Sequence, residues 1–268
     1  MNDYILTISC PDTTGIVHSV TGWLLERQGN IVEAEQFGDA ETQRFFLRIH
    51  FSLPQASQVQ QLQQAFAPIA SQYQMDAHIY DAQQKARVLL LVSRQGHCLN
   101  DLLFRTHAGQ LPIEIVGVVS NHTDHASLAA SYQVPFHHLP VTPETKATQE
   151  KQILQLVDEL QVDLVVLARY MQILSPEMCR ALSGRAINIH HSFSPSFKGA
   201  RPYHQAHARG VKIIGATAHY VTEVRDEGPI IEQDIERVSH DMSPTELTQV
   251  GSDVESLVLA RAVKAHVE

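Results

Sequence analysis

Asn188 and His190 lie two residues apart in the segment INIHH, residues 187–191, where apolar and polar residues alternate. On a β-strand this spacing points both side chains to the same face. An asparagine amide can donate a hydrogen bond to an oxygen that gains negative charge when a carbonyl is attacked. A histidine can carry the proton that this attack releases or that a leaving nitrogen needs. From these two residues alone, a turn-capping amide beside a semi-buried histidine without a catalytic role is the commoner explanation.

A third polar residue, Asp226, follows in the segment HYVTEVRDEGPII, between two later predicted strands. A carboxylate there could hold the His190 imidazole in one tautomer, stabilise its charged form and position a water molecule. The Gly228-Pro229 pair that follows favours a rigid loop. Asp226 could equally be an ordinary turn acid, with Glu223 and Glu227 as solvated neighbours. As catalytic groups, the three residues would suit acyl or formyl chemistry.

Residues 83–268 are predicted to form the domain that positions these groups. Near-continuous apolar segments alternate with helical ones from Arg87 onward, which is typical of a mostly parallel sheet covered on both faces. The predicted strands are residues 87–93, 113–121, 135–140, 162–170, 186–192, 213–222 and 228–238. The clearest helices are residues 145–160 and a closing helix that begins with a capping box at Ser243 and a proline at its first position. Such sheets bind ligands beyond the carboxyl ends of their strands, where Asn188 and His190 are expected.

Residues 1–82 are predicted to form a smaller domain with the element order β-α-β-β-α-β, the pattern of a ferredoxin-like sandwich. We expect Asp12 to cap its first helix and Gly29 to end that helix in the left-handed conformation. The buried face of the helix is predicted to carry Ile16, Val17, Val20 and Leu24. The polar segment DAQQKA, residues 81–86, contains the expected join between the domains.

Composition favours a globular protein with a sizeable core, because 44% of the 268 residues are apolar and 18% are charged. No apolar stretch reaches the roughly 18 residues that a membrane span needs, and the N-terminus does not resemble a signal peptide. A cytoplasmic location and no membrane partner are therefore expected. The net charge of -9, without a basic run, argues against nucleic acid as a partner. Three widely spaced cysteines predict no disulfide framework: Cys10, Cys98 and Cys179.

Local positive charge is expected near INIHH, where it could meet an anionic ligand. A solvated surface is nevertheless the commoner reason for such a cluster. The basic residues are Lys198, Arg201, Arg209 and Lys212.

The motif Asn188-Ile189-His190 is followed by Pro195 and Gly199, and later by Asp226-Glu227-Gly228-Pro229. This pattern resembles the signature of the folate-dependent formyltransferase superfamily, and the resemblance runs from about Arg87 to the C-terminus. Within the superfamily, the whole chain is similar to the formyltetrahydrofolate deformylase family through the segments HCLNDLL, VVSNH, GVKIIGATAHYV and LVLARAVKAHVE.

This resemblance implies a Rossmann-like formyltransferase sheet. It also implies hydrolysis of 10-formyltetrahydrofolate to formate and tetrahydrofolate, which supplies formate to one-carbon and purine metabolism. The folate would be the substrate, and neither a cofactor nor a metal is implied.

Residue by residue, the resemblance implies that His190 transfers protons, Asn188 donates to the oxyanion, and Asp226 orients His190 and organises the attacking water. The folate pocket would be lined by Met171, Gln172, Ile173, Leu174, Tyr220, Val221 and Thr222. Met171, Ile173 and Leu174 could instead be ordinary core residues. The sequence departs from the family pattern at Arg225, where a leucine is usual, and at Ser194, which replaces an apolar residue.

The first domain resembles an ACT domain through the segments CPDTTGIV and GNIVEAEQ. Such domains pair edge to edge and bind small ligands, so the resemblance implies a homo-oligomer and an amino-acid effector such as methionine or glycine. Asp12, Gly15 and Asn30 are the expected ligand-binding positions, although Gly15 could serve backbone freedom alone.

Several other functions remain open at this stage. A glycinamide ribonucleotide formyltransferase would need a loop of small residues to hold a phosphate after the first strand of the second domain. Here that loop is SRQGHCLN, with His97 and Cys98 beside the single Gly96. A methionyl-tRNA formyltransferase would need a further RNA-binding domain.

A metal-dependent amide hydrolase is suggested by the pairs His190-His191 and His204/His207, but no HExxH motif occurs. A sensor protein with an inactive catalytic domain is the remaining alternative, and the complete set of Asn188, His190 and Asp226 argues against it.

Overall fold

The structure, a computed structural model, describes residues 2–191 and 202–268 of the chain. Five predicted positions lie outside these residues: Ser194, Pro195, Lys198, Gly199 and Arg201. The chain divides into two compact units, residues 1–85 and 86–268. Within the described residues, no helix combines the length and the apolar character needed to cross a bilayer.

The first unit has the predicted element order β-α-β-β-α-β. Its strands form one antiparallel sheet in the order β2-β3-β1-β4. The elements are β1 (Asn2–Pro11), α1 (Ile16–Glu26), β2 (Asn30–Asp39), β3 (Arg44–Leu53), α2 (Val59–Gln72) and β4 (Asp76–Asp81). Trp23 of α1 packs edge-on against Phe66 of α2, with ring centroids 5.2 Å apart, so the two helices share the apolar core above the sheet.

Helix α1 begins differently from the prediction. Gly15, with a φ of 95°, is the residue before the first helical position, and no side chain caps the helix. The predicted cap at Asp12 was wrong because the chain makes a further turn before the helix starts. Val17 is 43% exposed, so it does not belong to the buried face that Ile16, Val20 and Leu24 form.

The end of α1 also differs from the prediction. The left-handed residue after the helix is Gln28, with a φ of 56°, and not Gly29. The N–H of Gly29 donates to Leu24 O at 2.8 Å and the N–H of Gln28 to Leu25 O at 2.9 Å, which is the Schellman arrangement. A glutamine holds the same left-handed position after α2, α4 and α5: Gln74, Gln133 and Gln161.

In the described residues of the second unit, the strands form a seven-stranded sheet in the order β11-β10-β9-β8-β5-β6-β7. Strands β5 to β9 are parallel, whereas β10 is antiparallel to both β9 and β11. The strands are β5 (Ala86–Val92), β6 (Ile113–Ser120), β7 (Phe136–His138), β8 (Leu164–Leu167), β9 (Ala186–His190), β10 (Ile213–Tyr220) and β11 (Ile230–Arg237). The helices are α3 (His97–His107), α4 (Ala126–Ser131), α5 (Lys146–Glu159), α6 (Pro176–Ala181), α7 (Pro202–Ala208) and α8 (Pro244–Val267). The α/β class and the mostly parallel sheet are confirmed.

Helices cover both faces of this sheet, as the continuous apolar strands predicted. In β5, Val88, Leu90 and Val92 join the core that contains α3 and α8, while Leu89 and Leu91 join the core that contains α5 and α6. All five side chains are fully buried. The capping box at Ser243 is confirmed, since Ser243 and Glu246 bond each other's backbone N–H groups. These helices fix the parallel strands, whose carboxyl ends lead to the polar residues of interest.

Replacing Gln161 with glycine is expected to stabilise the second unit by about 0.5–1 kcal/mol, because glycine adopts the left-handed conformation without the steric cost that a Cβ imposes. The expected measurement is a rise of a few degrees in the unfolding temperature. The matched control is Gln152→Gly in the interior of α5, which should destabilise by about 1 kcal/mol. Equal losses from both substitutions would contradict this explanation of the helix end.

Candidate active site

The polar residues singled out from the sequence meet where β9 and β10 pair. Asn188 and His190 occupy alternate, partly exposed positions of β9, and the side chains of Ile187 and Ile189 that alternate with them are buried. In the antiparallel register Asn188 lies opposite His219 of β10. The loop after β10 carries Asp226, in the left-handed conformation with a φ of 56°. Two adjacent strands and one loop therefore supply the site.

The carboxylate of Asp226 faces the imidazole of His190. Nδ1 of His190 lies 3.4 Å from Oδ1 of Asp226, and Nε of Arg225 lies 3.2 Å from Oδ2. This His190 contact is longer than a charge-assisted hydrogen bond, which is common in catalytic sites without substrate. Arg225 stays 68% exposed while it contacts the carboxylate.

The pKa of Asp226 is lowered, first by the hydrogen bond with His190 and against the opposing effect of burial. The positive charge of Arg225 adds to this lowering. Asp226 is therefore a carboxylate at neutral pH. Its stabilising contacts are fully present above the ordinary carboxyl pKa and are lost as the pH falls through the lowered value.

His219 fixes the orientation of the Asn188 amide. Nδ1 of His219 lies 2.9 Å from the carbonyl oxygen of Tyr220, which can only accept, so Nδ1 carries the proton. In the neutral form of the ring Nε2 is an acceptor, and Nδ2 of Asn188 lies 3.3 Å from it. One N–H of the amide bonds His219, and among the described residues the second N–H of the same nitrogen meets no acceptor. His219 is 4% exposed, so this arrangement is shielded from bulk water.

Gly228 allows the loop to return close to β10. A Cβ at this position would lie 1.7 Å from the carbonyl oxygen of Tyr220. The N–H of Tyr220 donates to Pro229 O at 2.9 Å, which closes the loop around Asp226. No residue other than glycine fits here without displacing the backbone that carries Asp226.

A pocket with about 840 Å³ of empty space, including its open mouth, surrounds these groups. Asn188, His190 and Asp226 line it together with Met171, Gln172, Ile173, Leu174, Val221 and Thr222. Met171 and Ile173 are each 59% exposed, so they are not core residues. Leu174 and Val221 line the pocket and also pack against the core beneath it. The mixture of apolar and polar walls suits a small organic molecule.

Tyr220 does not belong to this wall among the described residues. Its ring packs against the core next to α8, and its hydroxyl lies 2.8 Å from Nδ1 of His266. Tyr220 contributes its carbonyl oxygen instead, since that oxygen accepts a hydrogen bond from Nδ1 of His219.

Among the further residues that line the pocket, Arg169 and His219 were not singled out from the sequence, and His191 was considered only as a possible metal ligand. The alternation along β10 carried a signal for His219, which lies two residues before Val221 and faces Asn188. No local pattern marked Arg169, whose partners come from distant parts of the chain.

The comparisons with known proteins decide the family. The family model for formyl transferase matches residues 86–263. A formyltetrahydrofolate deformylase from Corynebacterium sp. (strain P-1) is 49% identical over 99% of this chain and 93% of its own length. The crystal structure of a formyltetrahydrofolate deformylase from Burkholderia mallei is 51% identical, with a TM-score of 0.95 over 100% of this chain and 95% of that one. This chain belongs to the formyltetrahydrofolate deformylase family.

A likeness to formyltransferases is weaker and concerns a smaller part of the chain. A phosphoribosylglycinamide formyltransferase from Anaplasma phagocytophilum is 32% identical, with a TM-score of 0.61 over 68% of this chain and 86% of its own. The deformylase relatives, in contrast, cover both units.

One group of potential metal ligands lies in the second unit. Among the described residues, His97, Cys98 and Glu255 bring ligand atoms within 4.8 Å of one another. Nε of Arg169 lies 3.4 Å from Oε2 of Glu255, so a guanidinium already provides positive charge at this carboxylate. That charge would repel a bound cation. His204 and His207, suggested as a pair from the sequence, lie exposed on α7.

The three positions expected to hold an effector lie in the first unit. Asp12 and Gly15 are exposed in the segment between β1 and α1, and Asn30 is exposed at the start of β2. A Cβ on Gly15 would lie 3.0 Å from the hydroxyl of Tyr73, and its φ of 95° independently favours glycine. Backbone geometry therefore accounts for Gly15 without any ligand.

Removing the acceptor at residue 219 is expected to lower kcat, because the Asn188 amide would lose the bond that orients it. For His219→Phe we expect a fall of about 10- to 100-fold, less than the loss typical for complete removal of an oxyanion donor. The measurement is steady-state formate release from 10-formyltetrahydrofolate. His240→Phe, at an exposed turn position, is the control and should keep full activity. An unchanged kcat in folded His219→Phe would show that this bond does not matter.

Proposed function

We propose that this protein hydrolyses 10-formyltetrahydrofolate to formate and tetrahydrofolate, with water as the acceptor of the formyl group. The observation that carries this proposal is the convergence of Asn188, His190 and Asp226 on one pocket, with 3.4 Å between Nδ1 of His190 and Oδ1 of Asp226. Extensive similarity to formyltetrahydrofolate deformylases over both units supports it.

The folate is proposed to bind along Met171, Gln172, Ile173 and Leu174, with Val221 and Thr222 opposite. Exposed apolar side chains at 171 and 173 suit the flat face of a pterin, and backbone groups of the same segment suit its polar edge. The proposed contribution of Tyr220 is reduced to its backbone. The formyl group would then lie over β9, within reach of Asn188 and His190.

In the proposed reaction, Asp226 and His190 position a water molecule beside the formyl carbon. The water oxygen bonds that carbon as it gives a proton to His190, and the carbonyl oxygen becomes an oxyanion that accepts a hydrogen bond from the second N–H of Asn188. The bond between the formyl carbon and N10 of the folate then breaks, and His190 gives the proton to N10. The carboxylate of Asp226 stabilises His190 while it carries this proton. The products are formate and tetrahydrofolate, with one net proton released.

Water rather than a phosphorylated amine is favoured as the acceptor by the loop after β5. The side chain of His97 bonds Oε2 of Glu255 at 2.6 Å, and a Cβ on Gly96 would lie 2.4 Å from the ring of His125. Nε2 of His125 also lies 3.0 Å from Arg94 O. Imidazole rings thus crowd the backbone that would have to approach a phosphate in a glycinamide ribonucleotide formyltransferase.

The proposal is tested by incubating the protein with 10-formyltetrahydrofolate, with and without glycinamide ribonucleotide, and measuring formate and formylated product. We expect formate in both samples and no transfer to the amine. His190→Ala should lower formate release by about 10²- to 10⁴-fold. Transfer that requires the amine would instead identify a formyltransferase, and loss of formate release after chelation would identify a metal-dependent hydrolase.

The first unit is proposed to be an ACT-type regulatory domain in a cytoplasmic homo-oligomer. Its element order and antiparallel sheet support this assignment. β2 is an edge strand whose residues are exposed along almost its entire length, including Ile31, Val32 and Phe37 at 40%, 56% and 64%. An apolar, unpaired edge of this kind suits pairing with a second copy.

Methionine or glycine is the proposed effector, bound near Asp12, Gly15 and Asn30. The formate assay repeated with each amino acid tests this idea. A change in rate with methionine or glycine, but not with alanine, is expected. Equal rates throughout would remove the effector from the proposal without affecting the hydrolase assignment.

A further inference from the structure

Arg169 has a backbone conformation that its residue type disfavours. Its φ is 65°, in the left-handed region, and its side chain lies almost entirely inside the second unit. A non-glycine residue persists in this conformation only when its surroundings hold it there, and such residues concentrate at functional sites. The contacts of the guanidinium therefore indicate which function this backbone conformation supports.

The guanidinium of Arg169 joins three parts of the chain. Nε donates to Oε1 of Gln95 at 2.9 Å and lies 3.4 Å from Oε2 of Glu255 on α8. Nη1 donates to Nδ1 of His191 at 3.1 Å. The side chain of Arg169 thus connects helix α8 to His191, the residue that follows β9.

Glu255 of α8 holds the guanidinium of Arg169 in place. It is 1% exposed, and it accepts from Nε2 of His97 at 2.6 Å and from the hydroxyl of Tyr203 at 2.8 Å. Burial alone would raise the pKa of Glu255, but the bond from His97 and the charge of Arg169 outweigh it, so the pKa is lowered. The buried carboxylate is ionised and paired, which fixes the guanidinium in position.

The bond from Arg169 determines the state of His191. A guanidinium can only donate, so Nδ1 of His191 is unprotonated and the proton of the neutral ring lies on Nε2. Within the described part of the chain, Nε2 has no hydrogen-bond partner. The pKa of His191 is lowered to about 4 by burial first, then by the charges of Arg169 and His190, against smaller opposing effects of Glu255 and Asp226.

The neutral ring of His191 forms a platform for His190. The two imidazoles are stacked, with centroids 4.8 Å apart and an angle of 30° between their planes. His190 is thus held at its edge by Asp226 and at its face by His191. When His190 carries a proton, its charged ring stacks on a neutral ring and meets no second cation in the stack.

We propose that Arg169, anchored by Glu255, is a positioning residue that acts through His191 to hold the imidazole of His190 for proton transfer. Arg169 itself need not touch the reacting atoms. This inference rests on the proposed deformylation only for its kinetic test, because the state of His191 is measured independently of activity.

The kinetic test compares Arg169→Met with Arg261→Met, which removes an exposed ion pair between α8 and Asp234. We expect Arg169→Met to lower kcat about 10- to 100-fold, the scale of a small misplacement of a reacting group. Its KM should change by less than about threefold, because the folate wall remains in place. Arg261→Met should leave both constants unchanged.

A double-mutant cycle shows whether Arg169 acts through His191. His191→Asn removes the platform, so it should reproduce the loss in kcat, and the double variant Arg169→Met/His191→Asn should be no slower than the worse single variant. Losses that multiply in the double variant would overturn the proposal. If Arg169→Met does not fold, Arg169→Lys replaces it in the cycle, because it keeps the charge but not the planar donor.

Nitrogen NMR of the histidine side chains provides the readout that does not depend on turnover. In the wild-type protein, His191 should be neutral with its proton on Nε2 between pH 5 and 8, as the lowered pKa requires. In Arg169→Met the pKa of His191 should rise, because the positive charge is gone. A proton on Nδ1 in the wild type, or no change in the variant, would overturn the proposal. Absence of formate release by the wild type would instead reject the proposed function.

Discussion

The antiparallel pairing of β9 with β10 is the constraint on which the site depends. It sets Asn188 opposite His219 and leads directly into the loop that returns with Asp226 beside His190. Because side chains alternate along a strand, a shift of this register by one residue would turn Asn188 and His190 away from the pocket. Gly228 completes the constraint, since only glycine lets the loop approach the carbonyl of Tyr220 closely enough. The sheet is thus parallel except at β10, and this antiparallel strand borders the candidate active site.

The second feature of the site is a polar network beneath it. Arg169, Glu255 and His191 connect α8 to β9 through contacts between residues far apart in sequence. The network is buried and its charges are paired, so it can fix an imidazole with little freedom to rotate. The helix that closes the fold therefore also supports the pocket, because Glu255 of α8 contacts Arg169 in the pocket wall. This connection explains why a carboxylate occupies a helix face that is otherwise apolar.

Much of the fold could be predicted from the sequence because its signals are local. Apolar runs in β5 and β8 predicted buried parallel strands, and Ser243 with Glu246 predicted the start of α8. Helix ends were less predictable. Gln28 takes the left-handed position that the neighbouring Gly29 could have filled. The residue types alone do not show which of the two residues adopts that conformation.

The candidate site was only partly visible in the sequence. Asn188, His190 and Asp226 stood out because their spacing matches a known signature, and all three line the pocket. Arg169 and Glu255 did not, since one lies near the end of a predicted strand and the other in the predicted closing helix, and only the tertiary fold brings them together. The resemblance implied Tyr220 as a wall residue, whereas its ring packs toward α8 and its hydroxyl lies beside His266. Contacts between residues far apart in sequence determine whether these residues belong to the site, and no short stretch of sequence contains both partners.

Single-turnover formate release by Asp226→Asn tests most directly whether the contact between Asp226 and His190 takes part in the reaction. The fold of the variant is checked by circular dichroism. Asparagine fills the same space but cannot hold the charge that stabilises protonated His190. We expect the rate of the chemical step to fall by about 10³- to 10⁴-fold while folate binding is retained. A rate within twofold of the wild-type protein would contradict the account, because the contact between β9 and the loop after β10 would then have no part in the reaction.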